Sequence, residues 1–146
     1  MHTYETEITI DAPPSEVWKH LADVERHDDW TRHFRLRGRP VVGAPARVEF
    51  SLFGVSTGAN VAYQKVDEPY ELRWHGGPKG LAYGSHFCIL EPLDGGTRTR
   101  LRHGESFSGL LAPLVVRLLG SNLGGPSYEG FNEDLRRRVL ASSVDD

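Results

Sequence analysis

Apolar and polar positions alternate over residues 3–10. Tyr4, Thr6, Ile8 and Ile10 fall on one face, and Thr3, Glu5, Glu7 and Thr9 on the other. A period of two predicts a half-buried strand. Asp11-Ala12-Pro13-Pro14 ends it, because consecutive prolines cannot continue a ladder, whereas the second can occupy the first turn of a helix. Val17, Trp18 and Leu21 then recur at helical spacing, and a short polar helix or turn over Glu25–Asp29 ends at Trp30.

From Arg35 to Glu105 the pattern becomes one of strands and turns. Val48 and Phe50 alternate with Arg47 and Glu49. A turn at Phe53-Gly54 precedes a strand near Thr57–Val66, which Glu68-Pro69 breaks. Tyr70, Leu72 and Trp74 alternate with Glu71, Arg73 and His75. After the loop Gly76–Gly80, Tyr83, Ser85, Phe87 and Ile89 share one phase, which reads as inward because of Phe87 and Ile89. Asp94-Gly95-Gly96 is a hairpin signal. Beyond it Thr97, Thr99, Leu101, His103 and Glu105 oppose Arg98, Arg100 and Arg102. Three arginines mark a solvent face, so the sheet is wet on one side and covered on the other.

The C-terminal quarter is helical. Leu111, Leu114, Val115 and Leu118 form a stripe, Gly120–Pro126 breaks or kinks the helix, and Tyr128, Phe131, Leu135 and Val139 resume the period. Arg136-Arg137-Arg138 reads as a solvated helix end whose charge complements the dipole. A curved antiparallel sheet crossed by one long helix leaves a space that bulky side chains or a ligand must fill.

Composition narrows the function. The 146 residues suit one domain, and 38% hydrophobic with 10% aromatic residues excludes disorder. A net charge of −3 argues against dedicated nucleic-acid binding. The single cysteine, Cys88, excludes a disulfide framework and a Cys-based zinc site. The longest apolar stretch, Leu110–Leu119, falls short of the about 20 residues that a membrane span needs. Without a signal-peptide pattern at the N-terminus, a cytoplasmic location is expected.

The segment IDAPPSEVWKHLADVERHDDW resembles the opening of the START-like (SRPBCC) superfamily, the polyketide cyclase/dehydrase and lipid-transport group. The matching positions are Ile10, Ala12, Pro13, Val17, Trp18, Leu21, Asp23 and Trp30. GTRTRLRHGESFSGLL is similar to that group's last strand entering its long helix, and GFNEDLRRRV to the helix end, so the resemblance spans residues 4–140. It implies an α+β helix-grip fold over 1–146: a curved antiparallel sheet of about seven strands around a long C-terminal helix, with two short helices after the first strand. It also implies an internal cavity for apolar small molecules (polyketides, lipids, hormones or aromatic compounds). The break at Gly124–Pro126 departs from the usual continuous helix and would reshape the cavity mouth.

No nucleophile elbow, phosphate loop, dinucleotide fingerprint or H-E-x-x-H motif is present, so no cofactor is expected. His103 and Glu105 are two apart on one strand and oppose the arginines, so both should face inward, where a buried histidine beside a carboxylate can serve as general acid or base. Tyr83 is expected to offer a hydroxyl to a ligand carbonyl. Trp30, Trp74, Phe87, Phe107, Leu111, Leu114 and Phe131 are the expected cavity wall. His75 and His86 are expected on the solvent face. A metal site from His86, Cys88, His103 and Glu105 fails on that phase, so no metal is expected, and Cys88 reads as a small packing residue.

Three functions remain open: a binder of an apolar small molecule in the cavity; a cofactor-independent polyketide cyclase/dehydratase using His103, Glu105 or Tyr83, aided by holding a reactive chain in one shape; and a protein-interaction module like the chaperone-ATPase activators that share the fold, which predicts a filled core and an exposed apolar patch.

Overall fold

The computed structural model describes residues 1–121 and 126–144. Strand β1 (His2–Ile10) runs into helix α1 (Pro14–Ala22), with Pro13 as the extended cap and Pro14 in the first turn. A 3₁₀ turn, Val24–Asp29, follows. Six strands come next: β2 (Arg35–Arg37), β3 (Pro45–Leu52), β4 (Val55–Asp67), β5 (Glu71–Gly76), β6 (Tyr83–Leu93) and β7 (Arg98–Ser108). Helices α2 (Ala112–Gly120) and α3 (Tyr128–Val144) end the described chain. Most of the Gly124–Pro126 break expected to reshape the cavity mouth lies outside the described residues, although Pro126 itself lines the cavity.

All seven strands form one antiparallel sheet in the order β1-β7-β6-β5-β4-β3-β2. Apart from the β1–β7 pairing, each strand lies beside its chain neighbour, so short turns suffice. At the β6–β7 turn, Asp94, Gly95 and Gly96 all take positive φ, as the hairpin signal required. Helix α3 lies across the inner face and buries Tyr128, Phe131, Asn132, Leu135 and Val139. Val17, Trp18 and Leu21 of α1 join the same core.

The arginine-bearing face of β7 is outside. Arg98, Arg100 and Arg102 are 36–45% exposed and pair with Asp11, Asp94, Glu5 and Glu91. The opposite phase of β7, Thr99, Leu101, His103, Glu105 and Phe107, points inward. The register then fixes β6: Cys88 lies opposite His103 and His86 opposite Glu105. The inward phase of β6 is therefore Gly84, His86, Cys88 and Leu90, the reverse of the expected one. Phe87 is buried on the outer face, where the Arg73 guanidinium sits 4.9 Å from its ring centroid and Gly104 leaves it room. A Cβ at Gly104 would also collide with the β1 backbone at Tyr4 and Glu5, so this edge packs closely only with glycine.

Candidate functional site

Between the sheet and the C-terminal helices lies a cavity of about 350 Å³. Its rim is apolar and partly exposed, with Leu52 and Phe53 at the β3–β4 turn and Leu118 on α2. Its inner wall is built by Phe34, Trp74, His86, Glu105, Phe107 and Tyr128. Among the described lining residues, polar side-chain atoms come from Trp74, His86, Glu105 and Tyr128 alone.

These groups are wired together. Tyr128 donates from its hydroxyl to Glu105 Oε1 over 2.8 Å, and His86 Nδ1 lies 3.0 Å from the same oxygen. His86 Nε2 lies 2.6 Å from His103 Nε2, and His103 Nδ1 lies 2.8 Å from Asn132 Oδ1. The far end of the chain fixes the tautomers. Thr6 Oγ1 donates to the His103 carbonyl, so it must accept from Asn132 Nδ2. Asn132 therefore turns its oxygen to His103, whose Nδ1 carries the proton.

Three contacts follow in series: Asn132–His103, His103–His86 and His86–Glu105. Each holds one proton, one more in total than two neutral imidazoles and a carboxylate possess. All three contacts are filled when a third proton sits between His86 Nδ1 and Glu105 Oε1, as imidazolium–carboxylate or imidazole–carboxylic acid, and either form leaves the unit uncharged. Desolvation, reinforced by the neighbouring His86, pushes His103 well below the usual histidine range, which suits its role as the neutral acceptor. Burial, with Glu105 adding to it, pushes the Tyr128 phenol well above its ordinary value, so it stays a donor.

Aromatic rings hold the wires straight. Trp74 stacks on His86 at 4.2 Å with 9° between planes, and Tyr128 stacks on His86 and His103 at 5.1 and 4.8 Å. Phe34 meets His86 edge-on at 5.5 Å. Glu105 Oε2 has no hydrogen-bond partner among the described residues. It occupies the space that a Cβ at Gly84 would fill, so that glycine makes room for the carboxylate.

The expected site residues divide. Trp74, Glu105 and Phe107 line the cavity. His103 faces inward but is 1% exposed, one layer beneath the cavity wall. Tyr83 lies on the outer face, where its hydroxyl meets His75 Nδ1. Phe87 is outside for the same reason of phase. Leu111 and Leu114 are 44% and 53% exposed; Val115, Leu118 and Leu119 supply the α2 wall instead. Phe131 and Trp30 pack on each other at 5.3 Å behind the wall. The expectation that His86 faces solvent is overturned, and so is the phase objection to grouping His86 and Cys88 with His103. Phe34, Tyr128 and Asn132 were not singled out as site residues. The four-residue spacing of Tyr128 and Asn132 on an amphipathic helix was the available signal for that pair.

The family model described as polyketide cyclase / dehydrase and lipid transport matches residues 1–140. The chain belongs to this family. Its START-like, helix-grip architecture is of the ligand-binding type. The chain is similar in structure to a START superfamily protein from Mycobacterium smegmatis, with TM-score 0.73, 18% identity, and 97% of this chain and 99% of that one covered. It is also similar to the protein TTHA0849 from Thermus thermophilus, with TM-score 0.70, 20% identity and coverage of 97% and 99%. DynU16, from the dynemicin biosynthetic locus, gives TM-score 0.69 and 20% identity over 96% of this chain and 48% of that one, so this chain spans about half of DynU16. These identities establish shared fold. No curated protein matches the chain.

Proposed function

We propose that the protein binds an apolar, ring-containing small molecule that carries one hydrogen-bond donor, a hydroxyl or an amine, directed at Glu105 Oε2. The observation behind this reading is the cavity's composition: an apolar chamber of about 350 Å³ whose one carboxylate has Oε1 engaged and Oε2 unpartnered. That volume lies in the range of small-molecule pockets, about 300–1,000 Å³. Trp74 and Phe107 line the chamber with aromatic rings, which suits a planar apolar ligand. The apolar rim at Phe53 and Leu118 gives such a molecule a path in that strips its water progressively.

Titrating the protein with 2-naphthol and with naphthalene, followed by tryptophan fluorescence, tests the reading. With Glu105 as the carboxylate, a hydrogen bond to Oε2 contributes about 1.5–3 kcal/mol. The hydroxylated probe should therefore bind at least tenfold more tightly, and Glu105→Gln should narrow the difference. Equal affinities, or no binding of either probe, would refute it.

The shared proton favours a second reading, an acid–base enzyme of the cyclase/dehydratase kind. In it Glu105 touches the substrate and His86 and His103 adjust the proton behind it. His103 is then a positioning residue, since the cavity wall separates it from a bound molecule.

A further inference from the structure

We propose that His86, Cys88 and His103 form a binding site for a borderline-soft divalent cation, zinc being the fitting case, beneath the wall of the cavity. One ring nitrogen each of His86 and His103 and the Cys88 Sγ lie within 4.8 Å of one another, the two Nε2 atoms are 2.6 Å apart, and all three residues are buried. They come from two adjacent strands, with Cys88 opposite His103 in register, so the sheet itself sets their spacing.

The surroundings carry the argument further than proximity does. A metal-binding histidine presents one ring nitrogen to the ion and donates from the other to an acceptor that fixes the ring. Both histidines have that second partner. His103 Nδ1 donates to Asn132 Oδ1 at 2.8 Å, and His86 Nδ1 faces Glu105 Oε1 at 3.0 Å. Asn132 is held in turn by Thr6, and Glu105 by Tyr128. When both Nδ1 atoms carry their protons, two Nε2 lone pairs face each other at 2.6 Å, and a proton or a metal ion between them relieves the repulsion. A proton fills that place in the metal-free chain. A metal ion bound by the same two nitrogens and the thiolate replaces it.

The charges balance. Binding displaces the proton between the two Nε2 atoms and the proton on Cys88 Sγ. His86 keeps its Nδ1 proton, directed at the Glu105 carboxylate. The ion's two positive charges then meet one thiolate and one carboxylate, and the buried unit stays neutral, as it is without metal. Two protons leave per ion bound. The nitrogens must part from 2.6 Å to about 3.3 Å, the separation that metal–nitrogen bonds of about 2.0–2.1 Å impose in a tetrahedron. Sulfur with imidazole selects zinc or its analogues over magnesium or calcium, which take oxygen ligands. The protein supplies three of the four ligands of a tetrahedral ion.

Cobalt(II) titration of chelator-treated protein is the test, because cobalt reports its ligands. The expected result is saturable binding of one ion, with tetrahedral visible bands and a near-ultraviolet thiolate-to-cobalt band, both removed by added zinc. Cys88→Ala should abolish the near-ultraviolet band. Asn132→Ala should weaken binding about 10–100-fold, the usual effect of losing an orienting partner. Calorimetry in two buffers should show two protons released per zinc ion. Zinc should also raise the unfolding temperature of the unaltered protein, a readout that needs no variant. No saturable binding, an unchanged thiolate band in Cys88→Ala, or binding indifferent to Asn132 would overturn the proposal. So would a zinc titration that leaves the unfolding temperature of the unaltered protein where it was.

Discussion

Tyr128 and His86 meet on a single oxygen of Glu105. The phenol donates to Oε1 over 2.8 Å and the imidazole Nδ1 lies 3.0 Å from the same atom. That asymmetry gives the carboxylate two different oxygens, one spent on the fold and one aimed into an apolar chamber. A long helix and a distant strand must dock correctly for it to arise, so it couples α3 to β6 and β7.

Removing the phenol separates these duties. Tyr128→Phe keeps the ring stacking but takes a donor from a partly buried carboxylate. Stability should fall by about 1.5–3 kcal/mol in urea unfolding. The preference for 2-naphthol over naphthalene should persist, because Oε2 is untouched.

Gly84→Ala acts from the other side. Its added methyl would fall on Glu105 Oε2 and crowd Phe107. The carboxylate must move, so the variant should lose most of the discrimination between the two probes while still binding naphthalene. Retained discrimination would show that Oε2 does not read the donor.

Phe87→Ala tests the corrected phase of β6. Phe87 is buried on the outer face under Arg73, away from the cavity. Truncating a buried phenylalanine costs about 3–5 kcal/mol. Denaturant unfolding should show a loss near the lower figure, with the affinity for 2-naphthol changed by less than about twofold for the remaining folded protein.

How far the sequence revealed the site depended on which residues marked the two faces. On β7 three arginines left no doubt, so His103 and Glu105 were placed inward correctly. On β6 the cues misled. Phe87 and Ile89 looked like core, and His86 looked like surface, because apolar residues usually face in. Here the outer face of the central sheet hides Phe87 under a guanidinium, and the inner face holds a histidine because its partners, Glu105 and His103, come from the neighbouring strand. At α2 the apolar residues surround the helix, so the periodic stripe of Leu111, Leu114, Val115 and Leu118 did not separate its exposed first two from Val115 and Leu118, which join Leu119 in the cavity wall. Pairing across strands and docking of α3 decide the site, and a single element's pattern contains neither.

Stability should depend on pH through His27. It is buried, its Nε2 donates to the Leu21 carbonyl, and its Nδ1 has no partner. Desolvation lowers its pKa, more than hydrogen bonding to Leu21 and His20 and the charges of Asp23 and Asp28 raise it. In the unfolded chain it takes up a proton near pH 6.5. Its contribution is therefore complete above about pH 6.5 and is lost as the pH falls toward the lowered folded value. His27→Gln should flatten the slope of unfolding free energy between pH 7 and 5 by up to about 1.4 kcal/mol per pH unit. An unchanged slope would contradict this.

The most direct measurement is a crystal structure of the protein with 2-naphthol bound. The account predicts the naphthalene rings inside the cavity beside Trp74 and Phe107, with the hydroxyl oxygen about 2.5–2.8 Å from Glu105 Oε2. Rings lodged on the exposed face of α2, or a hydroxyl pointing out toward Phe53 and Leu118, would contradict it.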